Sequence, residues 1–173
     1  MPGQVGPVVA SAPAKVILFG EHFVVYGVPA IVAAIDLRAR ARISRRDDEL
    51  IRIRAPDLGI SGSFSQDGHF LPELGREGAE GTLKPIFIAV REVLRSLGVS
   101  SGLDVEVRSS IPIAAGLGSS AAVAVSTAAA VHWLLSRRLD RELVFNAALE
   151  AEKLVHITPS GVDPAISTYG GLL

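Results

Sequence analysis

The 173-residue chain has no cysteine, which excludes a disulfide framework, a thiolate metal site and a cysteine nucleophile. Neither sign of charge is in excess. A net charge of −1 and a pI near 6.4 give no general attraction to nucleic acid or to an anionic membrane. Lysine is scarce, with three against fourteen arginines, a bias compatible with a hot habitat or a GC-rich genome. No Gly-Lys-Ser or Gly-Lys-Thr occurs, so a Walker-type phosphate loop is excluded. The N-terminus shows no charged-then-apolar leader pattern, and no uninterrupted apolar run is long enough to span a bilayer. The longest, Ala121 to Leu135, carries Ser126, Thr127 and His132 and reads as a buried helix. A cytoplasmic protein is the default expectation.

What is present points to one folded domain. Hydrophobic residues make up 49% and charged residues 20%, enough to bury a substantial core. Val8–Ala10, Ala14–Phe19 and Pro29–Ile35 read as strands between proline and glycine breaks. Leu37 to Ile43 alternates, with Arg38, Arg40 and Arg42 on a solvated face. Leu50 to Arg54 alternates likewise and is expected to be its hairpin partner. Residues 56 to 81, rich in glycine, serine and charge, read as a long surface excursion, with His69 an ordinary surface residue. A helix is predicted over Leu83–Leu97, a strand over Leu103–Arg108, and helices over Ser119–Leu135 and Arg141–Val155, the last capped by Asp140.

The chemistry concentrates in two stretches. In Pro112-Ile-Ala-Ala-Gly116-Leu-Gly118-Ser119-Ser120-Ala121, glycines without Cβ allow backbone N–H groups to approach a bulky anion. Ser119 and Ser120 then fall on the first turn of a helix, where free N–H groups and the helix dipole favour phosphate. The plainer alternative is a tight loop whose Ser119 caps a core helix. Gly116, Gly118 and Ala121 also fit the dinucleotide pattern G-x-G-x-x-A. That fingerprint needs a second strand ending in an acid, and Asp140 at the right distance lies between two helical patterns instead. The second stretch runs from His156 to Pro164. There Asp163 reads either as a functional acid or as an N-cap with proline at the first helical position.

Together these stretches, Lys15-Val-Ile-Leu-Phe-Gly20-Glu21-His22 and Glu152 resemble the superfamily containing galactokinase, homoserine kinase, mevalonate kinase and phosphomevalonate kinase. Its mevalonate kinase branch is matched from Pro13 to Gly27 (with Ala14 for glycine), from Pro112 to Ala122 and from His156 to Gly171. The resemblance covers nearly the whole chain, in order. It implies an α+β fold, a mostly antiparallel sheet with helices packed on one side, as in a domain of ribosomal proteins. It implies Asp163 as catalytic base with Lys15 beside it, and Glu21, His22 and Ser160 at the substrate, Ser160 also ordering Asp163 and Lys15. It further implies nucleotide contacts from Pro112, Ala115, Gly116, Leu117, Gly118, Ser119, Ser120 and Ala121, with Ser120, alone or joined by Ser119, and Glu152 on Mg²⁺ bridging the ATP phosphates. Phosphoryl transfer suits this set, because it demands positioning and charge neutralisation more than covalent catalysis.

The expected reaction is ATP-dependent phosphorylation of the primary hydroxyl of mevalonate to 5-phosphomevalonate in isoprenoid synthesis. The partner is that small molecule, with no nucleic acid or membrane, and a homodimer is among the allowed assemblies. Rival readings are a sister kinase or decarboxylase acting on phosphomevalonate, and a non-catalytic nucleotide- or RNA-binding module. Ile157 in place of glycine and Pro164 in place of asparagine depart from the pattern beside the base, leaving substrate choice open. The family's second domain would follow Leu173, so residues 1–173 correspond to its N-terminal domain.

Overall fold

A computed structural model describes residues 6–20, 29–75, 77–154 and 160–173. The strands are β1 (Val8–Phe19), β2 (Ile31–Arg45), β3 (Ile51–Ala55), β4 (Ile60–Phe64), β5 (Phe70–Leu74) and β6 (Leu103–Ser109). The helices are α1 (Ala79–Leu97), α2 (Ser119–Ser136), α3 (Arg141–Glu152) and α4 (Val162–Tyr169). The six strands form one sheet in the order β1-β2-β6-β3-β4-β5, antiparallel except for the β3–β6 pair. Alternation sets its two faces. Ala39, Ala41 and Ile43 of β2, Ile51 and Ile53 of β3 and Val105 of β6 are fully buried under the helices. Arg40 and Arg42 stay exposed on the opposite face. The expected α+β architecture is what the chain adopts.

Four local expectations change. The stretches at 8–10 and 14–19 are one strand running through Pro13, and those at 29–35 and 37–43 are one strand running through Asp36. Leu50–Arg54 is not the hairpin partner of β2, because β6 inserts between β2 and β3 and pairs with both. Residues 56–81 are not a surface excursion, since they contain β4, which is buried along its whole length, then β5 and the start of α1. Gly62 of β4 is there for packing: a Cβ would drive into the Phe70 ring, which in turn leans on Phe64 with centroids 4.9 Å apart. Finally, α1 begins at Ala79, a turn before the expected start, and carries Pro85 within its length.

The core lies between the sheet and α1, α2 and α3. Helix α2 is long and apolar enough by composition to cross a membrane, yet most of it is buried inside this fold. Its alanines, including Ala122, Ala128 and Ala130, allow the helix to lie close on β1 and β2. Helix α3 starts as expected, Asp140 accepting from the N–H groups of Glu142 (3.0 Å) and Leu143 (3.1 Å).

Candidate active site

Three elements converge on one point. Strand β1 carries Lys15, which is 6% exposed. Helix α4 carries Asp163 in its first turn, and the Lys15 Nζ stands 3.3 Å from Asp163 Oδ1. The N-cap of α4 is Gly161, with φ of 74°, so the capping alternative for Asp163 does not hold. Its carboxylate is used by the ion pair. The loop ahead of α2 closes the third side. The Lys15 N–H donates to the Leu117 carbonyl (3.0 Å), locking β1 to that loop. A Cβ on Gly118 would lie 3.0 Å from Lys15 Cγ and 3.3 Å from Asp163 Oδ2. Only glycine fits both that approach and its φ of 71°.

The loop has the form of an anion cradle. Ala114, Gly116 and Gly118 are all left-handed (φ 57°, 70° and 71°), and left-handed residues set at every second position are a feature of backbone nests that bind anions. Pro112 to Gly116 are exposed, and no Cβ would meet an atom within 4 Å of Gly116, so the rim is open to a bulky ligand. Gly118, not Ser119, caps α2, and no side chain bonds that helix end. Ser119 is half-buried and Ser120 exposed, both on the first turn where N–H groups are free.

Glu152 closes α3 beside this group. It is 8% exposed, and its Oε2 is buried with no hydrogen-bond partner among the described residues. Burial raises its carboxyl to about 7; the negative charge of Asp163 pushes the same way and the Lys15 ammonium opposes both. A buried, unpaired acceptor beside an ion pair and a glycine-rich loop is a donor suited to a hard cation. Among the described residues no three His, Cys, Asp or Glu gather, so a cation here would share its coordination with a ligand and water.

Ser160 stands at the entrance of α4. It is exposed, its Oγ accepts from the Val162 N–H (3.4 Å), and no hydrogen bond joins it to Lys15 or Asp163 among the described residues. It lines a cavity of about 270 Å³ with Ala30, Val32, Val162 and Ala165. A larger cavity, about 440 Å³, has neither Lys15, Asp163 nor Glu152 in its lining. Glu21, His22 and His156 to Pro159 lie outside the described residues. One neighbour escapes sequence reasoning: the Ser167 hydroxyl donates to the Pro13 carbonyl of β1 (3.0 Å). Its spacing of four residues from Asp163, one helical turn, is the signal that could have found it.

A glycine-rich loop and helix start beside an ion pair of a buried lysine and a half-buried aspartate define a class of site, and comparison with known families gives that class a name. Residues 84–171, just over half the chain, match the GHMP kinases N terminal domain, and the chain belongs to that family. The individual proteins it is similar to include mevalonate kinases. That of Pyrococcus abyssi is 45% identical over 170 residues, covering 96% of this chain and 50% of the relative. Among solved structures, the Methanococcus jannaschii mevalonate kinase matches with a TM-score of 0.82 at 29% identity, over 99% of this chain and 53% of that one. The L. major mevalonate kinase in complex with R-mevalonate matches with a TM-score of 0.68 at 29% identity, over 98% and 48%. The chain spans about half the length of the relatives it matches.

Proposed function

We propose that this chain carries the base and the nucleotide loop of an ATP-dependent kinase that phosphorylates the primary hydroxyl of mevalonate, giving 5-phosphomevalonate for isoprenoid synthesis. The observation that carries the reading is the Lys15–Asp163 ion pair set against Gly118 at the mouth of the anion cradle. Its support from outside the site is the 45% identity to mevalonate kinases over nearly the whole chain. Asp163 accepts the proton of the substrate hydroxyl as its oxygen attacks the γ-phosphorus, and ADP leaves from the opposite side. Lys15 neutralises charge beside the attacking oxygen. The run from Ala115 to Ala121 holds the phosphates through backbone N–H groups and the helix end, and Pro112, which has no N–H to donate, lines the nucleotide site beside it. Mg²⁺ accompanying the nucleotide would be held by the Ser120 hydroxyl, with Ser119 beside it, and the Glu152 carboxylate, and supplies charge neutralisation on the phosphates. Glu21, His22 and Ser160 make up the substrate side, Ser160 lining the cavity at Ala30 and Val32.

The test is ADP release by the full-length protein with mevalonate, phosphomevalonate and homoserine, beside Asp163→Asn. Turnover with mevalonate alone, reduced in the variant by about 10²-fold or more, is the expected result. Turnover of another alcohol would keep the chemistry and change the substrate. Undiminished activity in Asp163→Asn would remove the assigned base.

A further inference from the structure

We propose that Ser167 is a positioning residue for the Lys15–Asp163 pair, tying the helix that bears the acid to the strand that bears the lysine. The assignment rests on the kinase reading of the pair for its consequence, though not for its geometry. Asp163 and Ser167 lie one turn apart on α4, on the same face of the helix. Pro13 and Lys15 lie two residues apart on β1. The pairing of β1 with β2 breaks between them: Pro13 stands opposite Arg38 but Ala14 opposite Ile35, leaving Asp36 and Leu37 unmatched. A bulge of this kind re-aims the side chains that follow it and disturbs the ladder. At that break the Pro13 carbonyl accepts from Ser167 Oγ at 3.0 Å, a side-chain bond linking positions 154 apart in sequence.

Ser167 is 3% exposed, so the bond is shielded from water. At 3.3 Å the ion pair is not itself short, and one partner hangs on an eight-residue helix. Its geometry therefore depends on what fixes α4 against β1. The Lys15 N–H to Leu117 carbonyl bond sets β1 against the phosphate loop, and the Ser167 bond sets α4 against β1. Between them base, ammonium and phosphate cradle become one rigid unit. Small displacements of such groups cost rate far more than binding.

The experiment compares Ser167→Ala and Ser167→Thr in the full-length protein, with Ser167→Cys replacing alanine if that variant fails to fold. Two readouts are used: steady-state kinetics, and ¹³Cε NMR of the lysines. Among this chain's three lysines, Lys84 and Lys153 are about half exposed, each in a surface ion pair on its own helix (with Glu80 and Glu150), and serve as internal references for a solvent-exposed ammonium. Removal of the hydroxyl is expected to lower kcat about tenfold while KM for ATP stays within about twofold. The Lys15 resonance moves towards those of Lys84 and Lys153, and threonine restores both properties. An unmoved Lys15 resonance overturns the proposal, whether kcat is unchanged or falls in step with thermal stability. If the wild type turns over no substrate, the kinase reading fails, and the NMR comparison alone still decides what Ser167 holds.

Discussion

Glu152 is a carboxylate that the fold works against. Its folded value of about 7 stands above the ordinary 4.5, because burial and the charge of Asp163 penalise ionisation. Between those two values the folded protein holds a proton that the unfolded chain has released. The folded state is therefore favoured below about 4.5 and loses this contribution as pH rises through about 7. Without ligand, the melting temperature should fall by a few degrees across that window, and Glu152→Gln should flatten the fall. Scanning calorimetry at pH 5, 6 and 7.5 on both proteins checks this; an equal slope in the variant would place the titration elsewhere. The residue was picked out by resemblance, and its physics was not legible in sequence. Nothing in Leu149-Glu150-Ala151-Glu152 says which of the two acids is buried. Helical phase against α2 decides it, leaving Glu150 outside to pair with Lys153 at 2.6 Å.

At the scale of the element, the loop ahead of α2 separates two glycines that look equivalent in sequence. Both are left-handed, so alanine at either pays a conformational cost of about 1 kcal/mol. Only at Gly118 does the new methyl also press on Lys15 and Asp163. Gly116→Ala is thus expected to shift the denaturation midpoint slightly and keep turnover within severalfold. Gly118→Ala should lower turnover far more than the same stability loss explains. Denaturant titration and initial rates on the pair of variants give the comparison, and equal activity losses would count against the close approach. Helix α3 offers a plainer case. Asp140→Ala removes both bonds to the first turn and should destabilise by about 1 kcal/mol, as measured by urea unfolding. That cap was readable from sequence, because an acid before an amphipathic run satisfies helix N–H groups locally. The small residues of β4 were not readable. Ile60-Ser-Gly-Ser-Phe64 has the composition of a loop, and only contact with Phe70 and α1 shows why a strand there must be slim.

For the whole molecule, strand order was the property that local pattern could not carry. Alternation in β2 and β3 marks each as half-buried, but it is silent about what lies between them. The structure puts Val105 of β6 between Ile43 of β2 and Ile53 of β3, all three fully buried. Neighbouring strands lie about 4.8 Å apart, so Ile43 and Ile53 are separated by about twice that, near the limit beyond which substitutions act independently. Had β2 and β3 formed a hairpin, the two isoleucines could have been direct neighbours. Double-mutant cycles with Ile→Val and Val→Ala distinguish the arrangements by urea denaturation. Ile43–Val105 and Ile53–Val105 should each show coupling of about 0.5 kcal/mol or more, whereas Ile43–Ile53 should be additive within about 0.3 kcal/mol. Strong direct coupling between the isoleucines would contradict the inserted strand. It would also undermine the site, because β6 feeds the glycine-rich loop through Ser109 and Ser110, whose hydroxyls bond the Ile111 N–H (3.2 Å) and the Arg38 carbonyl (3.1 Å). The cradle stands where it does because β6 leaves the middle of the sheet beside β2, within reach of Lys15 on β1.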